Sequence, residues 1–153
     1  MLYALALLAG LVAGSRTLIA PAAVSWAAHG GFIDLDGSWL AFMAGNWTLT
    51  VLSLLALVEM IADQMPSMPS RKVPLQFGAR IVSGALCGAA LGASGGSWIA
   101  GLVAGVIGAV VGTYGGAELR RRMAKAIGSD PAAGLIEDVG ALVLGLVVVL
   151  ALR

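Results

Sequence analysis

The chain has 153 residues, of which 59% are hydrophobic and 11% charged, with a net charge of +1 and a mean hydropathy of +0.97. Soluble domains carry roughly 25% charged residues, so the composition excludes an ordinary soluble fold and predicts an all-α, polytopic membrane helix bundle in a single domain, 1–153. Nine scattered Lys and Arg cannot build a basic face, which excludes a nucleic-acid partner. One histidine and one cysteine leave no zinc set and no internal disulfide, and no cofactor is expected.

Five apolar segments are predicted, at 2–28, 38–63, 74–94, 97–118 and 131–152. A helix needs about 20 apolar residues to cross a ~30 Å core. The first segment is too long for an upright span, and "GSR" at 14–16 is the place where it would bend or split. "MLYALALLAG" has no basic residue ahead of its apolar run and is expected to be retained. Pro21 is expected to kink this segment.

Trp39 and Trp98 each follow Gly-Ser, so Ser38 and Ser97 are predicted N-caps of the second and fourth helices. With Trp26 they suit an aromatic belt at one membrane boundary. His29 reads as an exposed loop residue and Cys87, in "GALCGAALG", as buried packing. "GLVAGVIGAVVGTYGGAE" repeats glycine at three- and four-residue spacing, the pattern that lets helices approach closely, here as an internal contact.

The segments 70–72 and 120–125 hold six of the nine basic residues, whereas 29–37 and 94–97 hold none. The positive-inside rule then places the basic segments in the cytoplasm. With five crossings the N-terminus is expected in the cytoplasm too, and Arg153 outside. "GSWLA" at 37–41 returns as "GSWIA" at 96–100, and Glu59 and Glu118 each follow their Trp by 20 residues. Gly-x-Arg stands upstream of both. These matches predict a parallel two-helix internal repeat, approximately 14–63 and 78–122, with an extra C-terminal helix.

Counting at helical rise puts Arg16 and Arg80 about 20 Å below the loop surface. Glu137 and Asp138 lie roughly 10 Å in from the opposite side. Glu59, Asp63 and Glu118 fall at the cytoplasmic helix ends. Arg16, Glu59, Asp63, Arg80, Glu118, Glu137 and Asp138 are therefore expected to form one charge network or ligand-binding layer. An intramembrane charge costs about 2.5–3.5 kcal/mol on insertion scales. Arginine keeps its proton, so Arg16 and Arg80 must pair, snorkel or face water.

The stretches "GSRTLIAPAAVSWAA", "LVEMIADQMPSMPSRKVP", "GARIVSGALCGAALG" and "GLIEDVGALVLG" resemble a bacterial integral-membrane family known only as a domain of unknown function, family 4126. The resemblance falls on Arg16 and Pro21, on Glu59, Asp63 and Pro66, on Arg80 and Gly84, and on Glu137 and Asp138. Gln64 stands where the family commonly has Lys. The resemblance implies a multi-pass protein of the bacterial inner membrane and brings no activity with it.

Two functions follow as expectations. One is a small channel or carrier whose charged layer handles an ion, a proton or a polar solute. The alternative is a non-transporting structural or accessory membrane protein in which the same charges are locked in salt bridges. Whether the layer is wet and open or dry and paired separates them. No nucleophile elbow or His–Cys cluster is present, so an enzyme is not expected. The expected partners are membrane lipids and a small ion or polar solute, with homo-oligomerisation left open.

Overall fold

The computed structural model describes residues 1–62 and 73–153. Among these residues all regular secondary structure is helical, as the composition predicts. The helices are α1 (Leu2–Ser15), α2 (Ile19–His29), α3 (Asn46–Ala62), α4 (Pro74–Ser94), α5 (Trp98–Ile127) and α6 (Asp130–Ala151), with a 3₁₀ turn over Ala41–Ala44. Helices α4, α5 and α6 are each long and apolar enough to cross a membrane, and α1 and α3 are shorter apolar helices.

Local chemistry explains most boundaries. Pro74 and Pro131 open α4 and α6, where a missing N–H leaves no gap in the hydrogen-bond ladder. Ser97 and Ser129 cap α5 and α6 by accepting the Ala100 and Ala132 amides. Three expectations change. Pro21 sits in the first turn of α2, so it helps start a helix and does not kink one. Ser38 caps no helix. Its hydroxyl donates to the Leu35 carbonyl in a turn, and α3 begins only at Asn46. The run 120–125 is helical, because no breaker interrupts α5 before Gly128, whose φ of 75° ends it.

Helices α1, α4 and α5 form the tightest part of the bundle. A Cβ on Gly105 would stand 2.1 Å from the Gly84 carbonyl oxygen, and one on Gly101 would stand 2.1 Å from that of Gly88. On the other flank, Cβ atoms on Gly108 and Gly112 would meet the Leu7 and Leu11 carbonyls at 2.2 and 2.3 Å. Backbone lies against backbone, so only hydrogen fits. Cys87 is fully buried on α4, as expected. Gly105→Ala should therefore cost about 1–3 kcal/mol through overpacking. Gly115 has open space at its Cβ position, and Gly115→Ala should hold or raise stability because alanine is the better helix former. Unfolding of the two purified variants in detergent checks the pair.

The same contacts give the helix directions. Gly88 meets Gly101 and Gly84 meets Gly105, so α4 and α5 are antiparallel. Gly10 meets Gly105 and Gly14 meets Ala109 and Thr113, so α1 runs parallel to α5. Leu2 lies against Gly95, in the turn that precedes α5. Helix α2 then returns to that same end. Trp26 donates to the Ser53 hydroxyl, His29 Nδ1 is 3.0 Å from the Ala44 carbonyl, and the Trp39 ring meets the Trp98 ring edge to face at 6.3 Å.

Thus α1 and α2 are the two arms of a re-entrant hairpin, with its apex at residues 16–18. The apex lies about 20 Å from the hairpin's open end along either arm at helical rise. The expectation that the N-terminus shares an end with the basic 120–125 segment does not hold. Leu2 sits at the end carrying the 94–97 turn, opposite Arg120–Lys125. The cause is one of parity: a segment that turns back does not cross, and every crossing after it keeps its own direction. The expected two-helix repeat is not supported, although pairs α2–α3 and α4–α5 run in the same sense. They differ locally, since Arg16 sits in a break whereas Arg80 lies inside α4, and α5 starts at Trp98 whereas α3 starts seven residues after Trp39.

Candidate functional site: a charged layer at the hairpin apex

Breaking a helix leaves up to four backbone N–H groups and four carbonyls unsatisfied at the ends created. At membrane depth water is not at hand to satisfy them, so other parts of the protein must. Arg16 is extended (φ −136°, ψ 114°), and α2 starts three residues later. The free groups of the apex are met by side chains from two other helices. Glu59 on α3 accepts from the Thr17 amide through Oε1 and from the Leu18 amide through Oε2, both at 2.7 Å. Arg80 Nη1 on α4 donates to the Gly14 and Ser15 carbonyls at 2.9 and 2.6 Å. Ser83, one turn along α4, donates to the Thr17 carbonyl at 2.5 Å.

The signs match the helix dipoles. A carboxylate stands at the positive start of α2 and a guanidinium at the negative end of α1. Glu59 and Arg80 therefore act as caps supplied in trans.

Arg16 itself points the other way, toward α6. Its Nε lies 2.5 Å from Asp138 Oδ1, and its Nη2 lies 3.9 Å from Glu137 Oε2. Arg16 is 0% exposed, Asp138 1% and Glu137 9%. Arg120 extends the chain of charges toward the surface. It lies 3.8 Å from Glu137 and makes a two-pronged bond to Asp130 at the start of α6. An arginine inside an apolar run is thus tolerated because the turn beside it brings two carboxylates within reach. The same turn presents backbone groups that need charged partners of their own.

Of the seven residues expected in one layer, the structure brings Arg16, Glu59, Arg80, Glu137 and Asp138 together around the apex. Glu118 is set apart. It pairs with Arg121 and Arg122 along the exposed end of α5, because that helix runs nine residues beyond it. Asp63 and residues 64–72 lie outside the described residues. Sequence reasoning missed Ser83 and Arg120. Ser83 carried a signal, since three residues after Arg80 is the same helix face. Arg120 carried none, because its bond to Asp130 depends on where the turn after α5 falls.

Long apolar helices, a re-entrant hairpin and a buried charged layer at its apex define an all-helical bundle of membrane character. The chain matches the family described as Domain of unknown function (DUF4126) over residues 3–152, nearly its whole length, and belongs to it. Neither a curated protein nor a solved structure matches the chain.

Proposed function

We propose that this is a small channel- or carrier-like protein of the bacterial inner membrane, and that the hairpin apex is the place where it handles an ion, a proton or a small polar solute. The observation that carries this reading is the re-entrant break itself. Non-helical backbone at membrane depth is tolerated where it is buried in protein or lines a polar path. Carriers use the ends of broken helices to hold charged solutes. A bundle needing only stability would gain nothing from breaking α1–α2 and burying Arg16, Arg80 and Asp138 beside the break. In the conformation described here the protein's own carboxylate and guanidinium fill the positions that a solute's charged groups would take. No bond-making chemistry is assigned to it.

The test is flux through the full-length protein reconstituted in vesicles, screened over protons, inorganic ions and small metabolites. Arg16→Lys and Glu137→Gln keep bulk but change hydrogen-bond geometry or the proton site. Both variants should fold with near-parent stability and lose the flux. Stability and activity falling together across the series would overturn the assignment.

One observation favours the second reading, a purely structural lock. Arg16, Arg80, Glu137 and Asp138 are buried, and Arg16 against Asp138 is the tightest pair of the layer. On that reading the protein is a scaffold or accessory subunit, and no solute in the screen moves.

The positive-inside rule puts the end carrying Arg120–Lys125 in the cytoplasm. The N-terminus, the 30–45 segment and the C-terminus then face outward. In a Cys87→Ala background, cysteines at Tyr3 and Gly31 should react only with reagent added outside, and one at Lys125 only from inside. Labelling of the Tyr3 cysteine from inside would sink this orientation.

A further inference from the structure

We infer that the cleft between α2, α3 and α6 is a binding site for an acyl chain of a bilayer phospholipid, taken from the leaflet on the Trp26 side. The cavity measures about 540 Å³, in the range of small-molecule sites. It begins just beyond the apex, at Ile19, Met60 and Leu142, and runs to Trp26, Ser53 and Val149 toward the open end of the hairpin. Each helix contributes residues over seven positions, or about 10 Å at helical rise.

The lining rules out a polar occupant. Its polar side-chain groups, the Trp26 indole N–H and the Ser53 hydroxyl, already bond each other at 3.2 Å. A buried water needs two to four polar partners, and these walls do not offer them. A flexible alkyl chain needs no polar partner and can follow such an apolar wall between the three helices.

The cleft is also continuous with the surface that meets lipid. Helix α3 packs on α2 and the 3₁₀ turn, and Ala56 is its one buried residue among those described. The mouth between α3 and α6 is edged by Leu57, Leu142 and Leu146, which are 54%, 45% and 57% exposed. The back wall, by contrast, is buried, with Ile19 at 3% and Ala22 at 8%. A chain seated there touches atoms that lipid at the surface cannot reach.

The experiment uses the full-length protein in bilayers doped with a phosphatidylethanolamine carrying a diazirine in its acyl chain, with adducts mapped by mass spectrometry. Adducts are expected on Ile19 and Ala22 as well as on exposed Val51 and Leu54. A Cβ on Gly145 would meet Ala23 and Ile19 at ordinary contact distances of 3.5 and 3.6 Å, so Gly145→Leu fills the cleft without forcing backbone apart. It should bring the Ile19 and Ala22 adducts to background, leave those on Val51 and Leu54 unchanged, and lose a co-purifying phospholipid. Ala23→Leu fills the same space from α2 and serves should Gly145→Leu not fold. Adducts confined to exposed residues, or back-wall adducts that persist in a folded filled variant, would overturn the site. So would protein–protein crosslinks through the cleft in place of lipid adducts, which would mean that a second copy occupies it. None of these readouts depends on flux, so the site can fail while the apex reading stands, and the reverse.

Discussion

Arg16→Ala should destabilise the protein by about 3–5 kcal/mol, the usual cost of removing one partner from a buried ion pair. The cost comes from what remains: the Asp138 carboxylate, 1% exposed, loses the guanidinium 2.5 Å away, and Glu137 loses a second cation beside Arg120. Replacing both partners with apolar groups of similar volume, Arg16→Met with Asp138→Leu, should recover much of that loss, because no charge is then left buried. Arg121→Ala is the control. Arg121 is 64% exposed and pairs with Glu118 on the same helix, so its loss should leave stability unchanged. Equilibrium unfolding in mixed micelles measures all four proteins. Arg16→Ala as stable as the parent would mean that the pair contributes nothing and that Arg16 can reach water by another route.

Glu59→Ala should open the hairpin apex. Two backbone amides, those of half-buried Thr17 and Leu18, lose their acceptor together. A fully buried donor left unmet costs about 1–3 kcal/mol and these lie at the low end, so a loss of about 2 kcal/mol falls on one turn of backbone and on the attachment of α3. That helix would then be held to α2 by Trp26–Ser53 and a thin apolar contact. Hydrogen exchange reads this directly. The Thr17 and Leu18 amides should be protected in the parent and exchange fast in Glu59→Ala, while those of Gly84 and Gly105 in the glycine-packed seam keep their protection. Glu59→Gln should fall between, because its amide has one oxygen to accept where the carboxylate has two. Thr17 and Leu18 amides that stay protected in Glu59→Ala would show that the apex has another acceptor.

Much of this architecture was legible along the chain. Apolar runs marked the helices, Pro and Ser marked the starts of α4, α5 and α6, and glycine spacing marked the seam along α5. The unusual cost of charge in an apolar run singled out Arg16, Arg80, Glu137 and Asp138 before any fold was known. Glu118 was misassigned for a local reason: a run of helix-forming residues carried α5 past the expected boundary, and Glu118 found its partners three and four residues along its own helix.

The amino-acid sequence by itself determined that these helices must bury little charge and that whatever charge lay deep had to be matched. That follows from desolvation, which acts on each residue wherever it sits. It also marked Gly-Ser-Arg as the place where an over-long first segment would bend or split. The direction taken after the break was left to the tertiary structure. A chain leaving residue 16 can continue across the membrane or turn back, and local propensity is nearly the same for both. Turning back leaves the apex amides and carbonyls without intrahelical partners, and it succeeds here because Glu59, Arg80 and Ser83 arrive from helices 40 to 70 residues away in sequence to receive them. Long-range contacts of that kind are invisible to periodicity, and they decided both the end of the bundle at which the N-terminus lies and which groups the buried arginine meets.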